Sequence, residues 1–150
     1  MITRRQFVAA SPWLVISPLA LSGCSPVPTA DSYASACADT WRLGALTGLD
    51  GAALGRELVR YATLAPSSHN TQCWKFALAG NGRSIAILPD LSRRCPAVDP
   101  DDHHLFVSLG CAAENLIQAA LAHGLKGDAR FDPASDAVRV ALEPTRAQRL

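Results

Sequence analysis

Ala65-Pro66-Ser67-Ser68-His69-Asn70-Thr71-Gln72-Cys73-Trp74-Lys75-Phe76 joins a helical pattern to a strand pattern, and its reading decides the rest of the chain. Pro66 stops the helix before it and fixes the direction in which the loop sets out. Ser67, Ser68, Asn70, Thr71 and Gln72 then place hydroxyls and carboxamides, which both donate and accept, within one short connection. Trp74 and Phe76, two residues apart, fall on one face of the following strand and anchor it in a core. By composition the loop is an ordinary polar connection. By chemistry it is built to set donors and acceptors against a flat, polar-edged ligand. The residues alone leave both readings open.

Outward from this loop the periodicities predict an α+β fold. Upstream, Asp50 is a candidate N-cap for a helix running to about Leu64, with Leu54, Leu58, Tyr61 and Ala65 on one stripe. Downstream, Trp74, Phe76 and Leu78 alternate, Gly80-Asn81-Gly82-Arg83 turns the chain, and Ile85 and Ile87 alternate on the way back. That Gly-x-Gly precedes a strand, so it suits a turn and not a phosphate-binding loop. Asp99-Pro100-Asp101-Asp102 then opens a long helix that closes at Gly124. Leu105, Leu109, Ala112, Leu116 and Ala120 form one face, while Phe106, Val107, Cys111, Ile117 and Leu121 cover much of the others. A helix this apolar wants burial on several sides, as a central helix or one at a subunit interface. Ala129 to Phe131 and Ala137 to Leu142 read as a closing hairpin across Asp132-Pro133-Ala134-Ser135.

Several function classes are disfavoured. With 14 basic and 13 acidic residues and no basic stripe, the chain has no electrostatic footprint for nucleic acid, and Arg93-Arg94 reads as a solvated turn. His103 and His104 are adjacent, so on a helix they point about 100° apart, and with Asp99, Asp101 and Asp102 they read as capping and solvated charge and not as a metal site. No Gly-x-Ser-x-Gly elbow surrounds Ser67 or Ser68, so His69 does not make them a hydrolase pair and serves to shape the loop. No catalytic side chain and no metal site stands out.

Two stretches carry a family resemblance. Tyr61-Ala62-Thr63-Leu64-Ala65-Pro66-Ser67-Ser68-His69-Asn70-Thr71-Gln72-Cys73-Trp74-Lys75-Phe76 resembles the flavin-contacting segment of the nitroreductase superfamily. Val98-Asp99-Pro100-Asp101-Asp102, then Ser108-Leu109-Gly110-Cys111-Ala112-Ala113-Glu114-Asn115-Leu116 and His123-Gly124-Leu125, resemble that family's long central helix. The likeness is strongest to the twin-arginine-exported branch, whose chains fuse two nitroreductase-like halves. It implies an α+β, nitroreductase-like fold: helices on a small, mostly antiparallel sheet, a long buried central helix, and here only half of the complete fold. It implies FMN held non-covalently where two copies of the fold meet, with Ser67, Ser68, Asn70 and Gln72 against the isoalloxazine. Arg60, or Arg56, would take the phosphate. The implied activity is hydride transfer through the flavin from a reduced nicotinamide or another reductant. A flavin-binding or flavin-sequestering protein without turnover is the alternative, and a remnant that does neither is a third. The implied partner is a second nitroreductase-like half or a second copy in a homodimer. Cys73 departs from the family, which usually has proline before the tryptophan; the exchange frees an N–H and relaxes φ, so a less rigid loop is expected.

The first residues read as targeting signals. Thr3-Arg4-Arg5-Gln6-Phe7-Val8 matches the twin-arginine export signature, and the uncharged stretch from Val8 to Leu21 is shorter than the ~20 residues a membrane span needs. Leu21-Ser22-Gly23-Cys24 fits a lipoprotein box with Cys24 as the lipidated residue. The expected layout is a signal peptide over 1–24, a tether and N-terminal segment over 25–48, and a half-domain over 49–150. The protein would then be periplasmic or in the cell envelope, anchored to the membrane by lipid. Export of an already folded chain suits a cofactor captured in the cytoplasm. Lipidation would leave Cys37, Cys73, Cys95 and Cys111, which allow three disulfide pairings. A chain folded in a reducing compartment should depend on none of them.

Overall fold

The computed structural model describes residues 29–44, 46, 48–79 and 81–146. The arginine pair at 4 and 5 and the lipobox at Cys24 lie outside the described residues. The chain divides into two compact units, residues 1–36 and 37–150. Part of the stretch expected as a tether is helical: α1 (Ala30–Trp41) is capped by Thr29, whose hydroxyl accepts from Ser32 N at 3.2 Å, and it buries no residue.

Within the second unit, α2 (Gly51–Ala62), β1 (Trp74–Leu78), β2 (Ser84–Pro89), α3 (His103–Ala122), β3 (Leu125–Asp132) and β4 (Ala137–Pro144) follow in order. The four strands form one antiparallel sheet in the order β1-β2-β4-β3. Alternation decides which face is covered. Trp74, Ile85, Ile87, Val140 and Leu142 are buried with Leu54 and Leu58 of α2 and Leu105, Leu109 and Leu116 of α3. Lys75, Arg139, Ala141 and Glu143 of the alternate set are exposed. The first hairpin turns against the start of α2, where Gly82 has φ 66° and a Cβ would run into the carbonyl oxygen of Gly51.

The helix boundaries differ from the expected ones for local reasons. Asp50 stands at the N-cap of α2, yet its carboxylate caps nothing; its carbonyl accepts from Ala53 N and Leu54 N. Asp99 does the capping for α3 from outside the helix, accepting from His104 N at 3.1 Å and Leu105 N at 3.0 Å. At the other end Gly124 takes φ 82°, and β3 begins at once at Leu125, four residues ahead of the expected Ala129. Lys126, Asp128 and Arg130 on the outer face of this edge strand break up the apolar run and hide its start.

α3 is the platform of the fold. Leu105, Ser108, Leu109, Ala112, Ala113, Leu116 and Ala120 are buried, so one face carries the core. The remaining apolar residues are less covered: Phe106 meets Phe131 edge-on at 6.0 Å, Ile117 packs on Gly127, and Val107 is 51% exposed. Cys37, Cys73, Cys95 and Cys111 are free thiols.

Candidate functional site

Between α2 and β1 the chain needs an abrupt reversal, and residues 67–72 supply it with left-handed backbone. His69, Asn70 and Gln72 have φ of 51°, 52° and 50°. Such a conformation disfavours a residue with a Cβ by about 1 kcal/mol or more, with Asn and His among the better tolerated. The loop is tied down at many points. Ser67 Oγ accepts from Gln72 N at 3.0 Å, and Thr71 Oγ1 donates to the Ser68 carbonyl at 3.0 Å. Ser68 N donates to Ser108 Oγ at 3.1 Å, and Ser108 Oγ donates onward to the His104 carbonyl at 2.7 Å. Arg93 Nη1 holds the Thr71 carbonyl from the far side at 2.9 Å.

The pinned backbone leaves side chains open. Among the described residues the carboxamides of Asn70 and Gln72 and the hydroxyl of Ser68 have no hydrogen-bond partner, and Ser67 keeps its O–H to donate. Ser67 and Ser68 line an open depression of about 330 Å³ together with His104, Val107, Ser108 and Cys111. Asn70 and Gln72 are exposed on the same loop but do not line that depression. The Cys73 side chain is buried, with Sγ 3.8 Å from the Leu105 carbonyl.

Arg60 stands elsewhere. Its Nε and Nη2 donate to Glu57 Oε1 at 3.0 and 2.7 Å, its Nη1 donates to the Thr40 carbonyl at 2.6 Å, and the guanidinium lies 4.1 Å over the ring of Tyr61. Arg42 Nη2 holds Glu57 Oε2 at 2.7 Å. The hydrogen bond from Arg60, opposed by burial and helped by the charges of Arg60, Arg42 and His123, holds the Glu57 carboxyl below its usual range. The same bond raises Arg60 above its usual range against burial. The chain runs antiparallel to α3 here: Glu57 feels His123 at its far end, the Tyr61 carbonyl meets Asn115, and Ser68 meets Ser108. Residues 108 and 123 are separated by about 20 Å of helix rise. The structure therefore groups Ser67 and Ser68, keeps Asn70 and Gln72 on the same loop, and sets Arg60 apart. Arg56 is exposed and forms no ion pair among the described residues.

Four participants escape the sequence patterns. Ser108 is a hydroxyl on the apolar face of α3, and that break in the stripe is its one visible signal. Arg93 reads as a solvated turn because its partner, a carbonyl 22 positions away, has no sequence signature. Asp99 and His104 read as cap and surface charge; in space His104 Nδ1 lies 3.2 Å from Asp99 Oδ1. Burial pushes the Asp99 carboxyl up, but the N–H groups of His104 and Leu105 and the His104 ring outweigh it, so Asp99 titrates below its ordinary value. Among the described residues no group of three or more His, Cys, Asp or Glu could hold a metal ion.

No protein-family model matches the chain, and no curated protein matches it. Among solved structures the chain is similar to the crystal structure of a nitroreductase family protein from Streptococcus pneumoniae TIGR4. The two are 18% identical with a TM-score of 0.47, over 64% of this chain and 80% of that one.

Proposed function

We propose that residues 67–72, seated on the first turns of α3, form the cofactor-facing edge of an FMN-dependent oxidoreductase of the nitroreductase type. The observation that carries the reading is a loop with three non-glycine residues in left-handed backbone, fixed to α3 and the turn after β2, in which the side chains of Ser68, Asn70 and Gln72 have no partner among the described residues. Strain kept in a rigid loop while its donors and acceptors face outward fits a surface made to meet a ligand. The chemistry of the donor set fits the polar edge of a flavin ring: two hydroxyls and two carboxamides, able to donate or accept as each ring atom requires. The phosphate does not fit here. No arginine or lysine lines the depression, and Arg60 is committed to Glu57.

Magnitudes support an incomplete site. Each neutral hydrogen bond contributes about 0.5–1.5 kcal/mol net, whereas a micromolar dissociation constant corresponds to about 8 kcal/mol. Four such contacts fall short, so ring stacking and phosphate contacts must come from a second nitroreductase-like half or a second copy of the chain. Bound FMN would take up a hydride from a reduced nicotinamide or another donor and pass electrons to an acceptor. The chain's own part is to orient the ring through Ser67, Ser68, Asn70 and Gln72. Export by the twin-arginine route to the periplasm or cell envelope, with a lipid on Cys24, belongs to the same proposal and is supported by the sequence of residues 3–24.

The test is a visible spectrum of the purified protein, followed by anaerobic addition of reduced nicotinamide. A flavin spectrum that bleaches is expected. A bound flavin that stays oxidised would favour the binding protein without turnover, and absence of flavin at every protein concentration would remove the proposal.

A further inference from the structure

His104, which lines the same depression, is paired with Asp99. Asp99 is buried, with 8% of its side chain exposed, and its Oδ1 lies 3.2 Å from His104 Nδ1, whereas 60% of the His104 side chain is open. An ionised carboxylate only accepts hydrogen bonds, so the contact requires the proton on Nδ1. That leaves Nε2 as the nitrogen on the open side. His104 shares the depression with the hydroxyls of Ser67 and Ser68.

We propose that His104 is the proton-transfer residue of this site and that Asp99 is its positioning residue, fixing the ring so that Nε2 serves the bound substrate. An imidazole held through Nδ1 by a carboxylate has a defined tautomer and orientation, which a proton-transfer group requires. The remaining ionisable neighbours are few. The His103 ring stands edge-on with its centroid 5.6 Å away, Arg94 is paired with Asp102 at 2.7 Å, and Cys111 lines the same depression.

The role rests on the flavin reading above for its electrons. Two-electron reduction of an oxidised acceptor such as a quinone to its hydroquinone takes one hydride and one proton. The hydride, with its electron pair, comes ultimately from the reduced nicotinamide and forms an O–H bond at one carbonyl oxygen, while both C=O π bonds give way to the aromatic ring. The proton leaves Nε2 of protonated His104 and forms the O–H bond at the other oxygen. Neutral imidazole remains, with its Nδ1–H on Asp99, and solvent restores the Nε2 proton through the open face.

Two measurements on the full chain test the pair. In histidine-selective ¹⁵N NMR of cofactor-free protein, the His104 signal, identified by its loss in His104→Gln, should show Nδ1 protonated and Nε2 bare in the neutral ring. Asp99→Asn should shift that signal toward the opposite tautomer; because Asp99 also caps α3, the wild-type spectrum is the primary readout and needs no variant. With flavin bound, His104→Gln should slow reoxidation by a soluble benzoquinone about 10²-fold, the low end for general acid catalysis, and slow it far more than it slows reduction by nicotinamide. Added imidazole should restore part of that rate. A wild-type ring with its proton on Nε2, or reoxidation of His104→Gln at the wild-type rate, overturns the proposal. Failure to find any flavin sinks the preceding functional reading instead, while the tautomer still decides whether Asp99 presents Nε2.

Discussion

The corner around Glu57 and the loop over residues 67–72 are both polar, and both hang on α2, yet they are opposites. At the corner nearly every donor meets an acceptor: Arg42 and Arg60 on Glu57, Arg60 on the Thr40 carbonyl, and the Tyr61 hydroxyl on both backbone groups of Gly44. A Cβ at Gly44 would meet the Glu57 carboxylate and push that side chain aside. In the loop the backbone is fastened and the side chains of Ser68, Asn70 and Gln72 are left over. A saturated network specifies structure. Strained backbone carrying unpaired side chains points to recognition. The arginine expected to bind a phosphate sits in the first kind of region, and the hydroxyls and amides expected to meet a ring sit in the second.

Substitutions can break or sharpen that contrast. The largest effect is expected in the helix under both regions. Leu109 and Leu116 are fully buried, and truncation of either to Ala should cost about 2–5 kcal/mol in urea denaturation. A loss below about 1 kcal/mol at both would mean that α3 is no platform.

Glu57→Gln comes next, at about 1.5–3 kcal/mol, the range for hydrogen bonds to charged groups. Because the folded-state pKa of Glu57 is lowered from 4.5, its stabilisation is complete above that value and is lost as pH falls through the lower folded value. The stability gap between wild type and Glu57→Gln should therefore close on acidification below pH 4.5. Flavin affinity should not change, and a large loss of affinity would dissolve the distinction between the two regions.

The loop should respond the other way. Gln72→Gly relieves a left-handed residue, so stability should stay level or rise by up to about 1 kcal/mol. Losing the carboxamide should weaken flavin binding by roughly tenfold, the equivalent of one good hydrogen bond. A variant that is destabilised and binds flavin normally would mark residue 72 as structural.

The smallest effect concerns Asp90, next to the loop's outer support. The Ser92 hydroxyl and then Lys75 lower its pKa from 3.8 to about 2. Its contribution is present above pH 3.8 and fades as pH falls through about 2, so the melting temperatures of Asp90→Asn and wild type should converge over that interval.

Much of the fold was legible because it rests on period. The alternation of Ile85 and Ile87, the stripe of Leu105, Leu109 and Leu116, and the stop at Gly124 each report a local preference, and each element lies where its pattern puts it. The start of β3 was hidden, since an edge strand tolerates Lys126, Asp128 and Arg130 on its open face. The helix at Ala30–Trp41 was hidden as well, because it buries nothing and so has no apolar stripe. At the site, the polar character of residues 67–72 was plain in one dimension. Left-handed backbone at His69, Asn70 and Gln72 was not, as none is glycine. The bonds to Ser108 and Arg93 and the approach of His104 to Asp99 depend on how the chain returns on itself, which no local pattern carries.

The central claim is that this loop faces FMN and that one chain supplies only part of the site. Quenching of FMN fluorescence, titrated against the chain with its oligomeric state followed by light scattering, tests it most directly. The expected result is a monomer with a dissociation constant above about 1 μM, beyond what four hydrogen bonds supply, and affinity that tightens as the chain dimerises or meets a complementary half. Submicromolar binding of one flavin per monomer would contradict it.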